Sequence, residues 1–303
     1  MPELDALARS AAVVVAAADR DTLIVTGPDR LSWLEGLVTC ELKSLAPGSG
    51  TWGLVLNRQG KIQSVVWVVA AADRLWLSFA PGTGAAMEAE LGRMLIMEDA
   101  ELSAPEQPHT WLSLHGPEAV ARAAAWAAQA GGASAGIDFT GLGGAALVVP
   151  REREALVRAG SDGLWLDRAQ WQTLRLERGL PEFGVDFDGG DRPHEAALDR
   201  RAVSWSKGCY LGQEVVCMQD MRGKVKRSVR VLRVDAPAAA PLAGGKIVSV
   251  ANGKEAGEVT STAFSARAGS WLVMAPLQLD AIEGGLRYEG EAGSHAARVS
   301  EAL

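Results

Sequence analysis

Apolar and polar positions along the chain change period in a regular order, from two to 3.6 and back. Thr22 to Gly27 is a β-rich run that ends in Gly-Pro-Asp. Pro28 suits a first helical position and Asp29 favours the positive end of a helix, so a helix is expected to about Val38. Pro47-Gly48-Ser49-Gly50 marks a turn. The apolar runs Thr51 to Leu56 and Lys61 to Ala70 flank Asn57 to Gly60 and read as a hairpin. Leu75 to Phe79 predicts a strand, Gly84 to Leu95 a helix and Met97 to Leu102 another strand.

Part of this order recurs. Leu112 to His115 leads through Gly116-Pro117-Glu118 into an alanine-rich helix reaching about Ala130. Ala146 to Val149 leads through Pro150 into a helix at Arg151 to Ala159 and a strand at Leu164 to Leu166, as the earlier strand leads through Pro81. Two strand–proline–helix units in one order suggest two related α+β lobes. Ala169 to Arg178 predicts a helix closed by Gly179 and Pro181. Glu182 to Pro193 is an acidic loop, and Gly223 to Val234 alternates as a long strand. From Ala236 onward short apolar runs are broken by Gly-Gly, Asn-Gly and proline turns, the pattern of a small β-barrel. The expected organisation is a region 1–234, with lobes of about 1–105 and 106–234, followed by a barrel over 235–303.

With 303 residues and a 48 % hydrophobic fraction the chain can bury a large core. Net charge is −7, which disfavours nonspecific binding to nucleic acid or to an anionic membrane. Three cysteines, Cys40, Cys209 and Cys217, argue against a disulfide scaffold and for a reducing compartment. Their spacing fits no four-ligand zinc site, and the four histidines form no His-x-x-x-His pair, so no metal site is read. The apolar stretch Ala11 to Ala18 is far shorter than the roughly 20 residues a spanning helix needs. Glu3 and Asp5 precede it where a signal peptide carries positive charge. The chain therefore reads as soluble and cytoplasmic.

The chemistry concentrates in Lys207-Gly-Cys-Tyr-Leu-Gly-Gln-Glu214. Gly208 and Gly212 permit tight turns around Cys209, and Lys207 brings positive charge. A free thiol has a pKa of about 8.5, which a neighbouring cation lowers. The octapeptide suits an activated, partly exposed thiol; it suits equally an idle thiol in a glycine turn. Glu177, at a helix end before Gly179, could accept two parallel hydrogen bonds from a flat heterocycle. It could as well be a surface glutamate paired with Arg175 or Arg178. Arg222, Lys224, Lys226, Arg227, Arg230 and Arg233 could bind an anionic tail or nucleic acid, or guard a strand edge. Trp67 and Trp205 could stack on a ring. Gly53 to Lys61 has the wrong spacing for a phosphate loop, Gly141-Leu-Gly-Gly144 is not a dinucleotide fingerprint, and no Gly-x-Ser-x-Gly elbow is present.

Several segments together resemble the YgfZ family of folate-binding proteins, relatives of the glycine-cleavage T-protein (aminomethyltransferase). The octapeptide carries the resemblance, with Gly27-Pro28-Asp29, Leu56 to Ile62, Leu174 to Gly179, Pro193 and Glu195, Arg222-Gly223-Lys224 and Gly257 to Ser261. It implies an α+β, three-lobed aminomethyltransferase-like fold with two related lobes and a C-terminal β-barrel. It implies a tetrahydrofolate or derivative as cofactor, with Glu177, Arg175, Trp67, Tyr210, Gln213 and Arg222 as candidate contacts. T-proteins carry a Gly-Gly-x-x-Asp-Asp stretch. Its equivalent here is Gly60-Lys61-Ile62-Gln63-Ser64-Val65, which lacks both carboxylates. Neither Ser64 nor Val65 can act as general acid or base near neutral pH, which puts enzyme activity in question. The resemblance implies support for assembly or repair of iron–sulfur enzymes through Cys209, with Lys207 as its activator. Partners would be folate and iron–sulfur clients or assembly factors, with no membrane and with tRNA only through client tRNA-modifying enzymes. Two positions depart from the family: His194 stands where glutamine is common, and Met218 where a basic residue is. A folate-dependent one-carbon transferase drawing its base from Asp186, Asp188 or Asp191 is the alternative, and a nucleic-acid module built on Arg222 to Arg233 is a third reading.

Overall fold

The computed structural model describes residues 3–17, 19–161, 163–223, 225–235, 240–291 and 293–300. Ala18, Lys224 and residues 236–239, on which parts of the sequence reading rest, lie outside these. Two compact units form: residues 6–166 with 200–213, and residues 1–5 with 167–199 and 214–303. Among the described residues no helix is long and apolar enough to cross a membrane.

The 6–166 unit starts from helix α1 (Glu3–Ser10), whose last residues it includes, and strand β1 (Val13–Ala17). There follow β2 (Asp21–Thr26), α2 (Arg30–Glu35), β3 (Gly50–Leu56), β4 (Ile62–Ala70), β5 (Arg74–Phe79), α3 (Gly84–Gly92) and β6 (Glu101–Ser103). The second half adds β7 (His109–His115), α4 (Ala119–Ala130), β8 (Ala133–Gly136), β9 (Gly144–Pro150) and α5 (Glu154–Ala159). Two sheets result, ordered β3-β4-β5-β2-β6 and β1-β7-β9-β8. From Val65 onward the run over β4 is apolar because both its faces are covered. Val66, Val68 and Ala70 pack with Trp33, Leu34, Met87 and Leu91 of the helices. Trp67, on the other face, meets Trp111 and Phe139 of the second half at ring separations of 6.0 and 4.6 Å.

The recurring Gly-Pro-acid signals have a common cause. Gly27 and Gly116 both take positive φ, 93° and 130°. A Cβ on Gly27 would meet the Asp99 carbonyl oxygen at 2.3 Å, and one on Gly116 would meet that of Ala11 at 2.3 Å. No side chain fits either place. The expected strand at Leu164 to Leu166 is reduced to a single parallel bridge, Trp165 to Val14. The place beside β7, which β6 holds beside β2 in the first sheet, is taken by β1, antiparallel from Val13↔His115 to Ala17↔Trp111. Helix α2 also stops short of Val38, since the Thr39 N–H bonds to Leu54 O in the sheet rather than to a helical carbonyl.

The other unit contains α6 (Arg168–Glu177), most of α7 (Gln213–Arg222) and seven strands. These are β10 (Arg227–Val234), β11 (Lys246–Ser249), β12 (Glu255–Glu258), β13 (Ser261–Ser265), β14 (Ser270–Gln278), β15 (Leu286–Gly290) and β16 (Gly293–Val299). Their order is β12-β11-β15-β16-β10-β14-β13. The sheet curls into a half-barrel, and its two edge strands are successive chain segments joined only by residues 259–260. Leu232, Val234, Ile247, Val273, Leu277 and Tyr288 fill its inside. The expected boundary after Val234 cuts through this sheet. Strand β10 belongs to it and pairs with β14 along its whole length, Arg227↔Gln278 to Val234↔Trp271.

Candidate functional site

The octapeptide forms an open loop before α7. Its conformation is held from below by Lys207. That side chain is buried and its ammonium donates to the carbonyl oxygens of Glu35, Val38 and Cys40 at 2.7, 2.8 and 2.7 Å. An ammonium has three N–H donors, and these three acceptors take them all. Glu35 Oε1 lies 3.4 Å away and balances the charge, while Glu35 Oε2 accepts the Leu42 N–H at 2.7 Å. Burial pushes Lys207 below the usual lysine range, opposed chiefly by Glu35. The sequence reading made Lys207 the activator of Cys209. The structure makes it a strut instead: its donors are spent on the 35–40 segment, and it also lies 5.5 Å from the ring centroid of the buried Tyr210.

Further ties fix the loop. Thr39 Oγ1 donates to Ala202 O at 2.5 Å, the Ser204 N–H to Thr39 O and the Leu211 N–H to Gly36 O. Gly212 has φ of 81°, and a Cβ there would sit 2.5 Å from Asn57 O. The glycine is required because the loop rests on the Asn57–Gly60 turn. Between Gly208 and Tyr210, Cys209 is exposed. Cys40, by contrast, is buried beneath the loop, and burial pushes its thiol up to about 12. The exposed Lys43 brings its Nζ to 3.7 Å from where a Gly208 Cβ would stand. Glu35, Thr39, Cys40 and Lys43 were missed in the sequence, since they precede the motif by over 160 residues and match no motif of their own.

Glu177 is the last residue of α6, whose start carries a capping box between Asp167 and Gln170. Its carboxylate is buried, and Ser265 Oγ of β13 donates to Oε1 at 2.5 Å. The pairing with Arg175 considered for it is not what forms. The Arg175 guanidinium, 1 % exposed, meets Asp186 at 2.7 Å and Glu182 at 3.2 Å, and donates to Ser261 Oγ at 2.6 Å and Gln172 Oε1 at 2.9 Å. Arg175 thus ties the 180–186 loop and β13 to α6 and is not presented to a ligand. Nor is Trp67 an open stacking platform: the Arg20 guanidinium lies 4.1 Å from its ring centroid and Phe139 packs at 4.6 Å. Gln213 opens α7, its N–H donated to Tyr210 O, and Arg222 ends the same helix exposed to water.

No family model matches the chain. Sequence comparison finds the tRNA-modifying protein YgfZ of Aliivibrio fischeri, 25 % identical over 269 residues, covering 85 % of this chain and 82 % of that one. The YgfZ of Edwardsiella ictaluri is 26 % identical over 225 residues, covering 69 % and 67 %. The chain is similar to YgfZ proteins over most of its length. Its kinship with T-protein also appears in sequence: the mitochondrial aminomethyltransferase of Mesembryanthemum crystallinum is 26 % identical over 291 residues, covering 80 % of this chain and 66 % of that one. Among solved structures, the glycine-cleavage aminomethyltransferase T of Bartonella henselae superposes with a TM-score of 0.78, covering 99 % and 88 % at 22 % identity, which establishes the shared fold.

The segment that the resemblance equates with the T-protein carboxylates is buried. Ser64 is fully buried, 2.8 Å from Thr83 Oγ1, and accepts the Ala80 N–H. Val65 offers only its carbonyl, which Arg20 Nη2 donates to at 2.8 Å. The carboxylates of the acidic loop have partners within the same unit. Asp186 is held by Arg175, Thr260 and Ser261, and Asp191 by Arg227. Asp188 accepts the Gly190 N–H of its own turn. The basic run is also dispersed: Arg230 donates to Ser228 and Val229, and Arg233 to Ser300. Fold and charge bring His194, Asp199 and Asp220 together, their ligand atoms within 4.8 Å of one another, a grouping no spacing announces. His194 Nε2 lies 3.3 Å from Asp220 Oδ1.

Proposed function

We propose that the protein binds a reduced folate and uses the Cys209 thiol to support assembly or repair of iron–sulfur enzymes. The observation that carries this reading is the contrast within one loop: the chain is anchored on both sides of Cys209, through Lys207 and through Leu211, yet the thiol itself is exposed. Disordered presentation would suit an idle thiol; a fixed one suits repeated encounter with a partner. Its relatives are called tRNA-modifying proteins, which supports tRNA-modifying enzymes as clients. The T-protein-like fold supports the folate part. Glu177 fits a pterin chemically. An ionised carboxylate offers about four acceptor sites, and Ser265 engages one oxygen. Folate, when bound, would supply a carrier for a one-carbon unit. Glu177 would accept hydrogen bonds from its ring, and the exposed Arg222 suits its anionic tail.

Cys209→Ser tests the thiol. The variant is expected to keep its melting temperature and its folate affinity and to lose rescue of iron–sulfur enzyme activity in cells lacking the protein. Persistent rescue would make the octapeptide a structural turn. The aminomethyltransferase reading draws on the sequence likeness to that enzyme. The absence of a carboxylate at Ser64 and Val65 opposes it. Purified protein given an aminomethyl-lipoyl carrier and tetrahydrofolate is expected to form no methylene-tetrahydrofolate; turnover at a rate typical of T-proteins would reinstate it.

A further inference from the structure

The loop from Met94 to Ala100 holds two large apolar side chains in water. Ile96 is 81 % exposed and Met97 91 %. Their neighbours are firmly placed. The Trp33 indole donates to Met94 O at 3.3 Å, and Leu95 packs on the core of the first sheet. At the other end Asp29 and Asp99 exchange bonds: the Asp29 N–H donates to Asp99 O at 3.1 Å, and the Asp99 N–H to Asp29 Oδ2 at 2.9 Å. Between these anchors the Glu98 carboxylate accepts the N–H groups of both Ile96 and Met97, each at 3.1 Å. Those two donors hold Glu98 below the usual carboxylate range. An Ile or Met side chain left in water forgoes the free energy of its burial. Here the backbone on both sides of the pair is anchored, and both side chains stand in water.

We infer that this apex is a docking knob for another protein, one whose receiving pocket is apolar inside and basic at its rim. An apolar pair held in a fixed geometry loses little conformational freedom on binding, the condition under which a small contact gives useful affinity. Contiguous exposed apolar surface with a polar surround marks interaction sites. The surround is acidic. Asp29, Glu98, Asp99 and Glu101 belong to the loop and its clamp, against the exposed Arg93, while Arg30 is turned onto the carbonyls of Gly27 and Ala72. That charge excludes the other occupants. A second copy docked by a two-fold axis would set these carboxylates against their own images. An anionic lipid surface would be repelled.

The test places a benzophenone amino acid at position 97 of the full chain in cells that express it natively. The cross-linked protein is identified, purified and titrated. The inference stands if that one protein binds the wild-type chain and loses roughly tenfold or more in affinity with Ile96→Ser/Met97→Ser. Raising salt from about 50 to about 500 mM should also weaken binding. The melting temperature of the double variant should be unchanged, because both side chains are exposed. Glu98→Ala keeps the apolar atoms but frees the loop, and should weaken binding by about threefold or more. Cross-linking only to a second copy, to lipid or to RNA, no cross-link at all, or unaltered affinity in both variants would overturn it.

Discussion

Cys209 and Glu177 each follow a buried cation by two residues, and the two pairs are built to opposite ends. Lys207 spends its charge on backbone carbonyls with one carboxylate alongside, and the residue two positions on emerges exposed. Arg175 spends its charge on the carboxylates of Asp186 and Glu182, and the residue two positions on remains buried against Ser265. A planar fork suits carboxylates and a compact ammonium suits a ring of carbonyls. In both places the cation orders the chain and is itself fully engaged by its partners. Proximity in sequence to a candidate residue is therefore no measure of participation with it.

The largest effect that separates the pairs should come from Arg175→Met. It strands the buried Asp186 carboxylate without a counter-charge, which costs about 3–5 kcal/mol, read as a fall in the urea midpoint. A midpoint within error of wild type would mean that Arg175 is available to ligand after all. Lys207→Met should follow, at about 3 kcal/mol, from three carbonyls and Glu35 losing their partner. Slower alkylation of Cys209 with unchanged stability would instead restore Lys207 as its activator. Glu177→Ala should weaken reduced-folate binding by about 2–3 kcal/mol in calorimetry, and equal affinity would remove it from the site. Smallest is the stability change in Cys209→Ser, expected within about 0.5 kcal/mol; a larger loss would show the thiol to be a packing group.

What could be read in the sequence was whatever a local rule determines. The turns at Gly27 and Gly116 were legible because only glycine tolerates a carbonyl at that distance. The hairpin around Asn57 to Gly60 and the capped helix ending at Glu177 follow from turn and capping chemistry. The octapeptide located the exposed thiol. The partners of the two cations were not legible. Lys207 reaches back to Cys40 across 167 positions, and Arg175 reaches forward to Ser261 across 86. A charge read locally is assigned to its nearest candidate, whereas burial assigns it to whatever lacks a partner in three dimensions. The strand expected at Leu164 to Leu166 failed for a similar reason, since a distant segment had already taken its edge.

That segment, β1, also has a consequence for how the chain is made. Its antiparallel partner β7 lies about a hundred residues downstream. At ribosomal speeds of roughly 5–20 residues per second, the β1 segment waits on the order of 5–20 seconds before any of its ladder can form. During that interval an apolar Ala-Ala-Val-Val-Val stretch stands with unpaired backbone groups. Unpaired strands of this kind join whatever edge they meet first. The second sheet is thus the step at which a nascent chain is most exposed to pairing with its neighbour on the same message.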